Sequence, residues 1–320
     1  MTLTFEAVDG IGEIGAGDDI AALVVQRTTL AEGDVVVVTS KIVSKAAGLA
    51  TSRPKDALLA DETDRVVARR GQTTIVRTHH GLTMAAAGID NSNIAPGTLI
   101  PLPPHPDRSA AQIRARLLEL TGARVAVVVS DTAGRAWRHG QTDMAIGCAG
   151  LVPLESFEGR TDPYGNPLVV TAPAIADEVA GGAELVSGKF GARPVVVVRG
   201  VDPGWLTHDD GPGAAALVRD EESDMFGLGA REAAVAAILG DRPVRGLPTD
   251  PTVTLDQLVD HALTGLRLPR SCVTVDGSSA VVAVEPDTAF EAGVLTQRLV
   301  SLGVAHGTHV EVRTVSAETH

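Results

Sequence analysis

Four short apolar runs, each rich in valine, recur along the chain and are separated by segments of mixed character. They occupy residues 34–40, 124–131, 167–172 and 193–200. Continuous apolar runs of this length, bounded by turn residues, are typical of strands buried on both faces of a sheet. The stretch LTFEAV at residues 3–8 could supply a further strand. The pattern therefore predicts a sheet with helices packed on both of its faces.

Helical periodicity appears between these runs. Residues 109–122 begin at a serine, repeat apolar residues at helical spacing and end at Gly122, which predicts a capped amphipathic helix. Residues 174–188 have the same character, although Gly181 and Gly182 interrupt the periodicity. Each of these two segments is long enough to cover one face of the predicted sheet.

The pattern changes near residues 240–252, where proline and glycine are frequent. Beyond this point the apolar spacing predicts an αββαβ unit, with a helix at 254–266, two strands around 275–280, a helix at 288–302 and a strand at 308–315.

These elements predict a mixed α/β to α+β fold. We place the main domain, with two lobes, at residues 1–246. Residues 247–320 form a small C-terminal αββαβ appendage whose role the sequence leaves open.

Composition and charge narrow the classes of function. The chain has 320 residues, of which 44% are apolar, so it can bury a substantial core. Its formal net charge of −13 disfavours nucleic-acid binding, because the phosphate backbone would be repelled. Cys148 and Cys272 form neither a disulfide framework nor a metal-ligand cluster. The sequence shows no leader-like start and no apolar run of about 20 residues, which predicts a cytoplasmic protein without a membrane partner.

The stretch GIGEIG at residues 10–15 matches the G-x-G-x-x-G pattern of dinucleotide-binding folds. The helix start signal, however, falls at Asp18 or Asp19, beyond the third glycine, whereas a Rossmann loop leads directly into its helix. Asp34 opens the following valine run, although the fingerprint needs an acidic residue at the end of that strand. The motif therefore favours a glycine-rich turn over a Rossmann site.

A second glycine-rich stretch, GGAELVSGKF, resembles a phosphate-binding loop without matching it. Five residues separate Gly182 from Gly188, one more than a Walker A loop has, and Phe190 follows the lysine in place of a metal-binding hydroxyl. A helix C-terminus capped by glycine is the better interpretation. Lys189 could still contact a phosphate group.

Three polar clusters follow predicted strands or turns. The first comprises Ser40, Lys41, Ser44 and Lys45, the second Asp90, Asn91 and Asn93, and the third Asp131, Thr132, Arg135, Arg138, His139 and Asp143.

The residue types in these clusters suit phosphate and metal chemistry. Two aspartates beside a hydroxyl are ligands that Mg²⁺ accepts, and arginine and lysine bind anionic groups. Strand ends in α/β sheets are where ligands bind. An aspartate after a strand can equally be a turn cap, and lysines at a helix start can serve solubility alone.

In this order, the clusters resemble those of the coenzyme F420-0:L-glutamate ligase family. The matching stretches are VVVVTSKIVSKAAG, AAAGIDNSNIAPGTLIPLPPHPDRSA, VVVSDTAGRAWRHGQTDMAIGCAGL, RTDPYGNPLVVTAPAIADEVAGGAELVSGK and PVVVVRG, which lie between about residues 5 and 235. The resemblance implies a fold that is neither Rossmann nor P-loop, a homodimer, and a ligase that uses GTP. Its small-molecule partners would be F420-0, L-glutamate and GTP, with Mg²⁺ or Mn²⁺ as cofactor and K⁺ as a further candidate.

The resemblance also implies roles for individual residues. Asp90 and Asp131 would hold one metal ion, and Thr132 would contribute to a second. The residues expected to contact GTP are Ile11, Gly12, Glu13, Ile14, Ser40, Lys41, Lys45, Asn93, Gly188 and Lys189. The candidate catalytic residues are Lys45 and Arg135, which would offset the charge of anionic substrates, and Asp143, which with His139 is a candidate general base.

One departure from the family pattern concerns the second metal ion. Where some members have Gly-Glu-Gly, this chain has Gly188, Lys189 and Phe190, and an ammonium group cannot ligate a metal ion. Asp143 and Glu178 are the candidates to replace the missing carboxylate. Two other functions stay open: a related ligase that joins a different amino acid or acceptor, and a non-catalytic nucleotide-binding protein.

Overall fold

The computed structural model describes residues 2–92, 94–239 and 252–316. The chain separates into two compact units, Met1–Arg219 and Asp220–His320. The predicted domain boundary between residues 246 and 247 lies outside the described residues, and each unit is considered by itself.

The first unit contains ten strands and five helices within the described residues. Its strands are β1 (Thr4–Ala7), β2 (Val35–Thr39), β3 (Thr63–Arg70), β4 (Thr73–Thr78), β5 (Thr83–Ala85), β6 (Ala126–Gly134), β7 (Gln141–Ala149), β8 (Arg160–Thr161), β9 (Pro167–Leu168) and β10 (Val195–Arg199). Its helices are α1 (Ile20–Val25), α2 (Ser40–Ala46), α3 (Lys55–Glu62), α4 (Pro106–Thr121) and α5 (Ile175–Ser187).

Five of these strands form the main sheet, in the order β1-β10-β2-β6-β7. Only β2 and β6 are parallel, and the other neighbours are antiparallel. A separate antiparallel sheet contains β3, β4 and β5, and β8 pairs with β9. The predicted mixed α/β class is confirmed, and the two-lobed arrangement stays a prediction.

The valine runs form the centre of the main sheet because both of its faces are buried. Successive side chains of a strand point to opposite faces. Val36 and Val38 therefore pack into the core cluster that contains residues of α1 and α4, whereas Val35 and Val37 pack into the cluster that contains residues of α5. The predicted helical cover on both faces is confirmed.

The predicted helix at 109–122 is α4, and it begins earlier than expected. Pro106 occupies the first turn, where its fixed φ and missing N–H cause no loss, and the helix ends at Gly122 with φ of 73°. The proposed start at Ser109 was therefore wrong. The carboxylate of Asp107 accepts hydrogen bonds from the amides of Cys148 and Ala214, at 2.8 and 2.7 Å, and so joins α4 to β7.

Helix α5 runs without interruption through Gly181 and Gly182. A Cβ atom on Gly182 would lie 2.4 Å from Cζ of Phe5, a residue of β1. The glycine is therefore required for close packing of the helix on the sheet, which outweighs its low helix propensity.

The predicted buried strand at 167–172 was wrong. Only Pro167–Leu168 is a strand, and it pairs with the two-residue strand β8, while Val170 is 91% exposed. An apolar run becomes a buried strand only where a sheet offers it a pairing partner. In the main sheet β10 and β2 already pair with each other, so the run at 167–172 has no place between them.

The glycine-rich stretch at residues 10–15 is a turn and not a Rossmann loop. Strand β1 pairs with β10 and not with β2. Helix α1 begins after Asp19, whose side chain accepts a hydrogen bond from the Ala22 amide at 3.0 Å. Gly10 and Gly12 have φ of 75° and 79°, which glycine adopts without strain.

The second unit contains the predicted αββαβ order, preceded by one more helix. Its described elements are α6 (Ala230–Leu239), α7 (Leu255–Leu263), β11 (Val273–Asp276), β12 (Ser279–Val284), α8 (Ala289–Ala305) and β13 (Glu311–Ser316). Strand β12 lies between β11 and β13, antiparallel to the first and parallel to the second. Leu258, Leu295 and Leu299 form the fully buried centre of its core. In the described ranges no helix is both long and apolar enough to cross a bilayer.

The two cysteines differ in their environment, which predicts a difference in reactivity. Burial raises the pKa of the Cys148 thiol to about 12, and the nearby Asp107 carboxylate adds to the effect. Because the thiolate is the reactive form, Cys148 in the native protein should not react with a thiol reagent at pH 8. Cys272 is partly exposed, and we expect it to account for the slow labelling of the native protein. In denaturant we expect both thiols to react. Rapid labelling of native Cys272→Ser would contradict this expectation.

Candidate active site

The parallel strands β2 and β6 end at the same edge of the main sheet, where a cavity of about 410 Å³ opens. Strand β2 leads directly into α2, so the first residues of that helix lie at this edge. The cavity brings together most of the residues singled out from the sequence. Those that line it are Gly12, Glu13, Ile14, Ser40, Lys41, Lys45, Asp90, Asp131, Thr132, Asp143, Gly188 and Lys189.

Asp90 is held by a lysine and a backbone amide. Its Oδ2 lies 2.6 Å from Nζ of Lys41, and its Oδ1 accepts a 2.7 Å hydrogen bond from the amide of Ser92. Lys41 also donates to the Ser92 carbonyl oxygen at 2.8 Å. Burial acts to raise the pKa of Asp90, but the hydrogen bonds from Lys41 and Ser92 outweigh it, so the pKa is below its usual value. Asp90 is therefore an ionised carboxylate at neutral pH.

Asp131 occupies a different environment in the same cavity. Ser40 Oγ donates a 2.7 Å hydrogen bond to its Oδ1. Burial raises the pKa of Asp131 to about 7, and the negative charges of Asp143 and Asp90 add to the effect, against the hydrogen bond from Ser40. The site thus concentrates negative charge that a bound cation would neutralise.

Asp143 holds two hydroxyl groups in place. Its oxygens accept hydrogen bonds from Ser130 Oγ at 2.9 Å and from Thr132 Oγ1 at 2.7 Å. The antiparallel register places Thr132 directly opposite Asp143, so these side chains share one face of the β6–β7 pair. In this geometry both oxygens of the buried carboxylate are engaged with hydroxyl groups.

Lys45 of α2 contacts the glycine-rich turn at residues 10–15. Its Nζ lies 2.5 Å from Oε1 of Glu13, and only 11% of the lysine side chain is exposed, against 82% for the glutamate. The turn at residues 10–15 therefore contacts α2 through this ion pair at the border of the cavity.

Of the predicted site residues that the structure describes, two do not line this cavity. Ile11 is 5% exposed and packs in the core. Arg135, a predicted catalytic residue, lines a second cavity of about 470 Å³ together with Asp143 and Glu178. It lies there because β6 carries it beyond the sheet edge, three residues after Thr132. Asn93 lies outside the described residues.

Among the residues that line the first cavity, the sequence analysis missed two that carry charge, Glu184 and Arg193. Burial raises the pKa of Glu184, the charge of Asp143 adds to this, and Lys189 opposes it. The Nε atom of Arg193 is buried and has no hydrogen-bond partner within the described ranges. Glu184 precedes the predicted site residue Gly188 by four residues, about one helical turn, and this spacing could have indicated it.

Comparison with known proteins identifies the family of this chain. The sequence model of the F420-0:Gamma-glutamyl ligase family matches residues 10–200. The chain belongs to this family. The resemblance noted in the sequence is thereby confirmed.

Curated members of the F420-0:gamma-glutamyl ligase family match most of the chain. The coenzyme F420:L-glutamate ligase of Methanothermobacter thermautotrophicus is 38% identical over 253 residues, which are 71% of this chain and 99% of that protein. The protein of the same name from Methanopyrus kandleri is 36% identical over 247 residues, or 70% of this chain and 98% of its own length. That of Halobacterium salinarum strain R1 is 41% identical over 245 residues, or 68% and 93%.

In this member of the F420-0:gamma-glutamyl ligase family, the donor atoms fit a hard divalent cation. Across the part of the chain that the structure describes, no three His, Cys, Asp or Glu residues are arranged as a complete metal site. Mg²⁺ commonly needs only one or two carboxylates, because substrate phosphates and water complete its shell. Asp90, Asp131 and the hydroxyl of Thr132 offer such oxygens. Of the two carboxylates considered for the second ion, Glu178 lines the second cavity and Asp143 lines both, and the unpredicted Glu184 lines the first.

Proposed function

We propose that the chain is a GTP-dependent ligase that joins L-glutamate to coenzyme F420-0 through an acyl-phosphate intermediate, in the biosynthesis of coenzyme F420. Membership of the F420-0:gamma-glutamyl ligase family and the names of the curated relatives support a ligase that acts on these two substrates. The use of GTP and the acyl phosphate are what the resemblance to this family implies, and we infer that the cavity suits a nucleoside triphosphate.

One observation carries this inference: among the described residues, three lysines and five carboxylates line the same cavity at the end of the parallel strands. Phosphoryl transfer requires positioning and charge neutralisation more than covalent chemistry from the protein. Lys41, Lys45 and Lys189 supply positive charge for a nucleoside triphosphate. Asp90 and Asp131, with Thr132, would hold Mg²⁺ or Mn²⁺, which when bound supplies further neutralisation of the phosphates.

The proposed reaction has two steps. A carboxylate oxygen of F420-0 attacks the terminal phosphorus of GTP, and GDP leaves. The amino group of glutamate then attacks the acyl carbon, inorganic phosphate leaves, and the nitrogen loses a proton as the amide forms. Lys45 and Lys189 are suited to hold the anionic groups during both steps. K⁺ stays a further candidate cofactor, and we also propose a homodimer, which light scattering of the purified protein would test.

The proposal predicts GDP release that requires both F420-0 and L-glutamate. We expect product carrying an added glutamyl residue by mass spectrometry, and Asp90→Asn should lower turnover by about 100-fold or more, because an ionised ligand of the cation is lost. The matched control is Asp56→Asn, which changes an exposed aspartate in α3 and should leave turnover unchanged. Wild-type protein that forms no product with both substrates, GTP and either Mg²⁺ or Mn²⁺ would refute the proposed reaction.

A related ligase that uses another amino acid is the second candidate, and Lys189 is the observation that favours it. Its Nζ lies 3.3 Å from Ser92 Oγ, at the cavity where Asp90 is anchored. An additional ammonium group there could select a different anionic substrate. Mass spectrometry of the products formed from a mixed amino-acid pool separates the two functions, because only the first predicts glutamate as the sole amino acid joined.

A further inference from the structure

The loop between β6 and β7, residues 135–140, carries an unusual combination of side chains. Trp137 is 92% exposed. Arg135, Arg138 and His139 lie beside it, all exposed. Within the described ranges none of these four side chains makes a hydrogen bond or an ion pair. The loop therefore presents an aromatic ring and cationic groups to solvent without partners from its own unit.

The backbone of this loop is also unusual. Trp137 has φ of 63°, in the left-handed region that bulky residues rarely adopt. The other described non-glycine residues with positive φ are three alanines, at positions 86, 87 and 192. Strained conformations of this kind concentrate at ligand-binding sites, where they present a side chain to a ligand. The positive φ is therefore a second observation that makes Trp137 a candidate ligand-binding residue.

The charge of the loop differs from that of the whole chain. The chain has a formal net charge of −13, yet residues 132–142 contain no aspartate or glutamate and two arginines. A cationic segment on an acidic protein attracts an anionic ligand locally. An exposed tryptophan beside it adds a surface on which a planar ring can stack.

The position of the loop connects it to the proposed reaction. Thr132, which lines the first cavity, precedes Trp137 by five residues, and five residues span at most about 18 Å. The second cavity adjoins both the first cavity and the loop, because it shares Asp143 with the first cavity and is lined by Arg135 of the loop. An extended molecule could therefore place one end at Asp131 and the other at Trp137.

We propose that the β6–β7 loop binds the acceptor substrate, with the deazaflavin ring of F420-0 stacked on Trp137 and its anionic linker held by Arg135 and Arg138. The proposal rests on the proposed function, since it takes F420-0 as the acceptor. The carboxylate that is activated and the ring lie at opposite ends of F420-0, so the carboxylate would lie in the first cavity while the ring contacts the loop. GTP also joins a planar ring to an anionic chain, but the proposed function places it against Lys41, Lys45 and Lys189 of the first cavity. The amino acid has no such ring.

Steady-state kinetics test this assignment. Trp137→Ala should raise the KM for F420-0 by about tenfold and leave the KM for GTP unchanged, because stacking on a single ring is lost. Trp137→Phe should retain most of the affinity. Arg135→Gln and Arg138→Gln should each raise the KM for F420-0 and make it less sensitive to salt. The matched control is Tyr164→Ala, which removes an aromatic ring that is 91% exposed on the β8–β9 turn.

A binding measurement gives a second readout that needs no turnover. The chain has two tryptophans, so Trp205→Phe leaves Trp137 as the only indole. Titration with F420-0 should quench its fluorescence, and the Trp205→Phe, Trp137→Ala variant should show no such signal. An unchanged KM for F420-0 in Trp137→Ala together with unquenched Trp137 fluorescence would overturn the proposal.

Two further outcomes separate this proposal from others. If the loop variants change the oligomeric mass in size-exclusion chromatography while the KM for F420-0 stays the same, the loop is a contact between copies of the chain and the proposal fails. If wild-type protein turns over F420-0 but Trp137→Ala leaves the KM for F420-0 unchanged and Trp137 fluorescence is not quenched, only this proposal fails. If wild-type protein quenches with F420-0 yet forms no product, the proposed function fails and the binding assignment stands.

Discussion

Asp131→Asn should abolish most activity and, in the absence of metal ions, stabilise the protein at pH 8. Burial raises the pKa of Asp131 to about 7, and Asp143 and Asp90 add to this effect. The folded state therefore binds the proton more tightly than the unfolded state does, for which the ordinary value is 3.8. As the pH rises from about 4 through about 7, the wild-type protein loses stability from this group, and above pH 7 the loss is complete.

Asparagine has nearly the same shape but carries no charge, so it avoids this loss. We expect the free energy of unfolding of Asp131→Asn to exceed that of the wild type by about 2 kcal/mol at pH 8 in EDTA, and the two proteins to be nearly equal at pH 4. Turnover should fall by about 100-fold or more, because a ligand of the divalent cation is lost. Urea denaturation at both pH values and the GDP-release assay measure these effects.

The exposed substitution Asp56→Asn serves as the control and should change neither quantity. Asp131→Asn with wild-type turnover would remove Asp131 from the proposed catalytic site. A variant less stable than the wild type at pH 8 would show that the hydrogen bond from Ser40 outweighs the cost of burying the charge.

Gly147→Ala should destabilise the first unit by about 3 kcal/mol or more. A Cβ atom on this residue of β7 would lie 2.4 Å from the carbonyl oxygen of Pro106 and 2.5 Å from its carbonyl carbon. Both are backbone atoms at the start of α4, so no side-chain rotation can relieve the contact. A shift of α4 would also weaken the hydrogen bond from the Cys148 amide to Asp107.

Gly134→Ala provides a matched control at the end of the neighbouring strand β6. A Cβ atom there meets no atom within 4 Å, so we expect the free energy of unfolding to change by less than about 0.5 kcal/mol. Chemical denaturation of both variants measures the contrast. Equal stabilities for the two variants would show that α4 can move away from β7 without cost.

Local patterns in the sequence predicted much of the fold. The valine runs at 34–40, 124–131 and 193–200 became β2, β6 and β10, and the helix at 109–122 became most of α4. These predictions succeeded because periodicity and end caps depend on residues close together in the chain. The run at 167–172 failed because its pattern matched a buried strand but the main sheet gave it no partner.

The residues of the candidate site were also predicted only in part from the sequence. Side-chain chemistry and the family resemblance pointed to Asp90, Asp131 and the lysines, and the structure places these residues around one cavity. Glu184 and Arg193 were missed because neither stands in a polar cluster of the sequence. Glu184 reaches the cavity because α5 packs on a face of the sheet, and Arg193 because it lies in the connection that leads from α5 to β10.

The sequence by itself determined the mixed α/β class, the αββαβ order near the C-terminus and the membership of the F420-0:gamma-glutamyl ligase family. These properties depend on residue order over short distances, which the printed sequence contains directly. The tertiary structure decided that β1 pairs with β10, that Lys41 neutralises Asp90 and that Arg135 lies in the second cavity. Each of these outcomes depends on segments far apart in the chain. Such contacts are set by the packing of the whole unit, because all of its elements together decide which residues are buried and which strands pair.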